Sequence, residues 1–251
     1  MKNLLFGILL SLTFLLSCYN DHSRNRVLET RNTINVATLA TVAIIENRTE
    51  SSDAPAQPYC SGFFISRTRI VSALHCFQDV REITVGDAIY RIFVNPNPIG
   101  NVVQFVRYGE INMITNNFET TVVHEARVIY TDRVNDIALL DIEQGTEPSN
   151  VYIHLSSRAP SIAEHVYLIG HPGGIGWTVV DGIISRIMYD NTGVPNILQS
   201  TTPLIGGFSG GPLINEHGEV IGLARAYINR MHHISVFTSS NVILTDVSVV
   251  H

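Results

Sequence analysis

Apolar residues recur along this chain in short runs broken by Asn, Gly, Pro and Asp, a spacing that suits many short β-strands rather than helices. From Val36 onward VATLATVAII, SGFFIS, RIVSAL, EITVG, YRIFV, VVQFVRY, ARVIY and IALLDI read as strands. A break rich in turn formers, Gly145 to Asn150, precedes a second series: VYIHL, HVYLIG, TVVDGIISRIMY, ILQST, GPLI, EVIGLARAYI and HHISVFTS. Helical periodicity is scarce and no internal repeat stands out. Two halves of similar length, each built of closely spaced short strands, predict an all-β protein with two barrels or sandwiches packed together, over residues 36–147 and 148–251.

The first residues follow a different pattern. MKNLLFGILLSLTFLLSC has one Lys, an apolar stretch and then small Ser17 before Cys18, the layout of a secretory signal over residues 1–17. A retained membrane span is the alternative, but Leu4 to Leu16 falls short of the about 18 to 20 apolar residues expected for one. LLSC also resembles a bacterial lipoprotein lipobox, with bulky Leu16 as a departure, and implies lipidation of Cys18. Acyl methylenes buried in a bilayer contribute about 0.8 kcal/mol each, enough to hold a chain at a membrane without a span. Soluble secretion with a free thiol is the other option. The polar, mixed-charge stretch over residues 18–35 reads as a flexible tether.

Composition narrows the function. With 45% hydrophobic and 15% charged residues the chain can bury a real core. A formal charge of -6 with no Lys/Arg run argues against nucleic acid as a partner, because phosphate binding needs a concentrated basic surface. Export also decides the cysteines: Cys60 and Cys76 are an isolated pair bound for an oxidising compartment, so a disulfide is expected. A zinc site is the competing use, but two Cys this far apart lack the C-x-x-C spacing of a zinc knuckle. The ten His are scattered, so no metal site and no cofactor are expected. Asn47-Arg48-Thr49 matches a glycosylation sequon, which carries no functional weight beside a bacterial-type leader.

Three segments carry chemistry. In GGFSGGPLINEHGEVIGLA, from Gly206 to Ala224, Ser209 sits between glycines that permit unusual backbone angles and leave its Oγ open, as a nucleophile requires. Gly207 and Ser209 can aim backbone N–H groups at one point, where an oxyanion would form. In SGFFISRTRIVSALHC, His75 follows an apolar run and adjoins Cys76; in NDIALLDI, Asp136 precedes an apolar strand and can be buried against an imidazole. Alone, a GxSGG string reads as a hairpin turn and a single His or Asp as structural. The chain order His, Asp, Ser, each in its expected context, favours catalysis.

On these residues the chain resembles the trypsin-like (chymotrypsin-fold) serine proteases, and within them the bacterial HtrA-like and glutamyl-endopeptidase-like catalytic domains. HVYLIGHPGGIGWTVVDGIISRI and ILQSTTPLIGGFSGGPLINEHGEVIGL carry the HtrA likeness. The resemblance implies two packed six-stranded antiparallel β-barrels with a catalytic cleft between them. It implies His75 as general base, Asp136 as its orienting partner, Ser209 as nucleophile, and the N–H groups of Gly207 and Ser209 as oxyanion hole. By the same alignment Pro203, Leu204, Ala224, Ala226 and Tyr227 border the substrate pocket, and lacking an acidic residue they suit small or medium apolar side chains. No PDZ domain is expected, and a simple protease domain acting on protein or peptide substrates is expected instead.

Two departures stand out. Phe208 occupies a position where digestive relatives carry an Asp and bacterial ones often Asn, and no IVGG-like activation site lies upstream. Arg225 falls where a small hydroxyl residue usually stands near the triad Asp; its guanidinium can pair with Asp136, weakening the stabilisation of protonated His75, or point to solvent, and the solvent-directed side chain is expected. A catalytically silent, membrane-tethered binding protein is the rival reading, which an intact triad disfavours. An α/β-hydrolase-type esterase is disfavoured because its chain order is Ser, Asp, His.

Overall fold

A computed structural model describes residues 29–45, 58–78, 80–85, 88–93, 97–108, 122–174, 176–227 and 234–249. The signal segment, Cys18, the first part of the tether and Asn47 lie outside the described residues, as do the side chains of Ala226 and Tyr227. Among the described residues no helix is long and apolar enough to cross a membrane.

Strands β1 (Thr41–Ile45), β2 (Pro58–Phe64), β3 (Arg69–Ala73), β6 (Val102–Arg107), β7 (His124–Asp132) and β8 (Ile137–Ile142) close into one barrel in the order β1-β2-β3-β8-β7-β6. A separate hairpin, β4 (Val80–Val85) with β5 (Ala88–Phe93), follows the His75 turn. The second barrel runs β10-β11-β14-β13-β12-β9, from β9 (His165–Gly170), β10 (Thr178–Tyr189), β11 (Pro195–Ser200), β12 (Pro212–Asn215), β13 (Val220–Tyr227) and β14 (Ser235–Ser239). Every strand pair is antiparallel. The expected pair of six-stranded barrels is therefore the observed architecture.

Period-two alternation sorts side chains between two kinds of core. Along β8, Ala138 and Leu140 fill the first barrel with Ile44, Phe64, Ile70 and Phe105, while Ile137 and Leu139 face the second barrel. There they join Phe63, Val71, Ile169, Ile214 and Leu223 in an inter-barrel cluster. Because both faces of β8 are covered, its sequence is a continuous apolar run instead of an alternating one. The second barrel encloses Leu168, Ile184, Leu198, Leu213 and Phe237.

Helices stand at both ends of the described fold. Residues 29–40 form α1, so Val36 to Ala40 are helical where the apolar run suggested a strand. Ile34, Ala37 and Ala40 recur every third residue and pack on the inter-barrel cluster, a helical spacing hidden by the apolar residues that follow. The first half of α1 overlaps the stretch read as tether. Helix α2 (Ser240–Val249) closes the described chain and buries Ile243 in the same cluster.

Candidate active site

His75 leaves β3 on a single 3₁₀ turn, Leu74–Phe77. Asp136 ends the turn before β8 and adopts a left-handed backbone, φ 59°, uncommon for a residue with a Cβ. That turn aims both carboxylate oxygens at His75. Oδ1 accepts the His75 backbone N–H at 2.9 Å, and Oδ2 lies 2.7 Å from ring Nδ1. The Asp136 carbonyl accepts the Leu74 N–H at 3.1 Å, so the whole residue grips the turn. With Asp136 ionised, Nδ1 carries the proton and Nε2 presents its lone pair, the tautomer a general base needs. The expected disulfide is formed between Cys60 and Cys76, Cα atoms 6.2 Å apart, and anchors the His75 turn to β2.

Ser209 is carried by the loop between β11 and β12. Gly207 has φ 99°, and a Cβ there would fall 2.0 Å from the His171 carbonyl oxygen; Gly210 has φ 83°, and its Cβ would fall 2.1 Å from the Ser61 carbonyl. Neither position accepts a side chain, which accounts for the glycine pattern read from sequence. Phe208 points the other way, into the second-barrel core, and is 2% exposed. The loop is tied down by Gly173 N–H to Gly206 O at 2.8 Å, Ser61 N–H to Ser209 O at 2.7 Å and Gly210 N–H to Ala224 O at 2.8 Å. Among the described residues nothing accepts the N–H of Gly207 or of Ser209. Nor does a hydrogen bond join the His75 ring to the Ser209 hydroxyl; such contacts are often loose without substrate and tighten in the complex.

The comparisons with known proteins fit this geometry. Residues 60–223, more than half of the chain, match the trypsin-like peptidase domain. The chain belongs to that family. Serine endoprotease DegS of Salmonella typhimurium (strain 14028s / SGSC 2262) is 36% identical over 104 residues, 40% of this chain and 29% of that protein. Periplasmic pH-dependent serine endoprotease DegQ of Escherichia coli (strain K12) is 32% identical over 107 residues, 41% of this chain and 23% of that protein. The chain thus matches less than a third of the length of these relatives. Among solved structures, the active form of the Rv3671c protease from M. tuberculosis aligns with a TM-score of 0.60 at 17% identity, covering 86% of this chain and 82% of that one, a likeness of fold.

As a trypsin-like peptidase domain the chain has two departures with a structural account. Phe208 fits because β9 ends in Gly170, where a Cβ would come 2.8 Å from the Phe208 ring. Arg225 does not point to solvent as expected. Its Nη2 donates to the Val134 carbonyl at 3.0 Å and its Nε stands 4.0 Å from Asp136 Oδ2, because the loop before β8 offers both an acceptor and a carboxylate. Of the residues aligned to the substrate pocket, Pro203 is exposed, and Leu204 and Ala224 are buried together in the second-barrel core. Cys60, His75 and Cys76 bring their ligand atoms within 4.8 Å, but the disulfide takes both sulfurs and leaves one nitrogen ligand, too few for a metal ion. Sequence reasoning passed over Ser61 and His171, which lie behind the Ser209 loop. The only signal for them was their place, one beside a bridged Cys and one between a strand and a Gly-rich turn.

Proposed function

We propose that this chain is a serine endopeptidase in which Ser209 attacks the peptide carbonyl, His75 takes the Ser209 proton and Asp136 holds His75. His75 Nε2 removes the hydroxyl proton as Oγ bonds to the carbonyl carbon, and the oxygen that becomes negative is received by the N–H groups of Gly207 and Ser209. The imidazolium, stabilised by Asp136, then protonates the departing amine, and water repeats the sequence to release the acyl group. The observation that carries this reading is the double grip of Asp136 on His75, at the backbone and at the ring. The two unengaged N–H groups flanking Phe208 support it further.

Substrates are protein or peptide chains with a small or medium apolar side chain before the cut, since Leu204 and Ala224 bring no charge to the aligned pocket. The leader and the periplasmic relative DegQ support export, and LLSC supports a lipid anchor at Cys18 facing the periplasm or the cell exterior. The test is labelling of the full chain with a fluorophosphonate probe, with Ser209→Ala as control and the adduct mapped by mass spectrometry. Labelling confined to Ser209 is expected. A folded chain that takes no label would point instead to a silent, tethered binding protein.

A further inference from the structure

The Ser209 loop is held from behind by a buried hydroxyl–imidazole pair. Ser61, fully buried, donates its one hydroxyl proton to the Gly207 carbonyl at 2.7 Å. Its backbone N–H donates to the Ser209 carbonyl at 2.7 Å. One residue of the first barrel therefore grips the carbonyls on both sides of Phe208. Because that proton is spent on Gly207, Ser61 Oγ can only accept from His171, which offers Nδ1 at 3.0 Å and its own backbone N–H at 3.2 Å.

This assigns the His171 proton to Nδ1. The ring is fully buried, and burial pushes its pKa down to about 3, so it stays neutral. Its Nε2 has no partner, as suits a nitrogen bearing only a lone pair. The Trp177 ring meets it edge-on at 4.3 Å, and Trp177 Nε1 donates to the Thr41 carbonyl of β1 at 2.8 Å, which holds the imidazole against the first barrel. His171 also supplies the carbonyl wall that excludes any side chain at Gly207.

A trans peptide points its C=O and N–H in opposite directions, so pinning carbonyls aims amides. Gly173 pins the Gly206 carbonyl and thereby aims the Gly207 N–H. The Phe208 carbonyl, opposite the Ser209 N–H in its peptide, accepts the Gly211 N–H at 2.8 Å, and Ser61 holds the carbonyls on either side of that peptide, at Gly207 and Ser209. We propose that Ser61 and His171 are positioning residues of the oxyanion hole: His171 orients the Ser61 hydroxyl, and Ser61 holds the loop so that both N–H groups converge. This rests on the endopeptidase reading above.

The test uses the full chain and three variants, Ser61→Ala, His171→Asn and His171→Gln. For each, the rate of fluorophosphonate labelling is measured, with kcat and KM on a tripeptidyl p-nitroanilide carrying a small apolar residue before the amide. Losing an oxyanion donor outright costs about 100- to 1000-fold, so a donor merely loosened should cost roughly 10- to 100-fold. Ser61→Ala should show that loss in labelling and in kcat, with KM nearly unchanged. An Asn amide places an N–H where Nδ1 lies, whereas Gln places it where Nε2 lies; His171→Asn should keep most of the rate and His171→Gln should lose it. A folded Ser61→Ala that labels at the wild-type rate overturns the proposal, as does an equal loss in the two His171 variants, which would indicate packing alone. If Ser61→Ala does not fold, the Asn and Gln pair decides. A wild-type chain that never labels defeats the endopeptidase reading itself, an outcome distinct from unequal rates among active variants.

Discussion

Phe208→Ala tests how the Ser209 loop is anchored. The ring is 2% exposed and packs in the second barrel with Leu168, Leu204, Leu213 and Phe237. Truncating a core Phe to Ala costs roughly 3–5 kcal/mol, the sum of lost transfer energy and a cavity left open. A closed barrel of hydrogen-bonded strands collapses poorly into a void, which favours the upper half of that range. For a urea slope of about 3 kcal/mol/M the unfolding midpoint should drop by roughly 1.5 M. The second readout is the fluorophosphonate labelling rate at low denaturant, compared with Leu198→Ala. Leu198 is fully buried in the same core, but on β11 and outside the loop. Both variants should lose stability, and Phe208→Ala alone should lose labelling by more than about tenfold, because a misaimed donor weakens oxyanion stabilisation. A stability loss below about 1 kcal/mol would refute the anchoring of the ring in the core. Equal labelling in the two variants would refute the link between anchor and loop.

Three further outcomes are expected. Replacing both Cys60 and Cys76 by Ser opens a loop with a sequence separation of 16 and should cost about 3 kcal/mol of stability by the chain-entropy relation, read by urea unfolding without reductant; no loss would mean the bridge does not form in the protein. Asp136→Asn should lower kcat by about four orders of magnitude with KM little changed, since an amide cannot hold His75 in the Nδ1–H form through both contacts; a loss under tenfold would remove Asp136 from the mechanism. Asp246 sits buried on α2 beside Tyr130 and Asp132, and its carboxyl is pushed from the ordinary 3.8 up to about 6, first by burial and then by the Asp132 charge, against the opposing Tyr130 hydrogen bond. The folded chain thus holds this proton more tightly than the unfolded one, so the contribution is complete below pH about 4 and is lost as pH rises through about 6; thermal unfolding of Asp246→Asn should show a flatter pH dependence across that window, and an unchanged slope would count against the burial.

Particular residues separate what was legible from what was not. Ser209 between glycines, His75 before a Cys and Asp136 before an apolar run were legible as candidates because the proposed chemistry dictates the local surroundings of each. The strands were legible for the same reason, since alternation and turn residues are local signals. The segment from Val36 to Ala40 was misread because helical spacing and a strand-like apolar run coincide there, and packing of Ala37 and Ala40 between the barrels decides for the helix.

By itself, then, the sequence determined the strand-rich double unit and the glycine-flanked setting of Ser209, and it marked His75, Asp136 and Ser209 as candidate site residues. Only the tertiary structure decided how these segments meet. Asp136 reaches His75 across a separation of 61 residues, Ser61 reaches His171 across 110 and the Gly207 carbonyl across 146. Contacts that distant depend on barrel closure and on the shared core between the barrels, and no local pattern encodes them. The same holds for Arg225, whose direction was set by a carbonyl and a carboxylate on the facing loop.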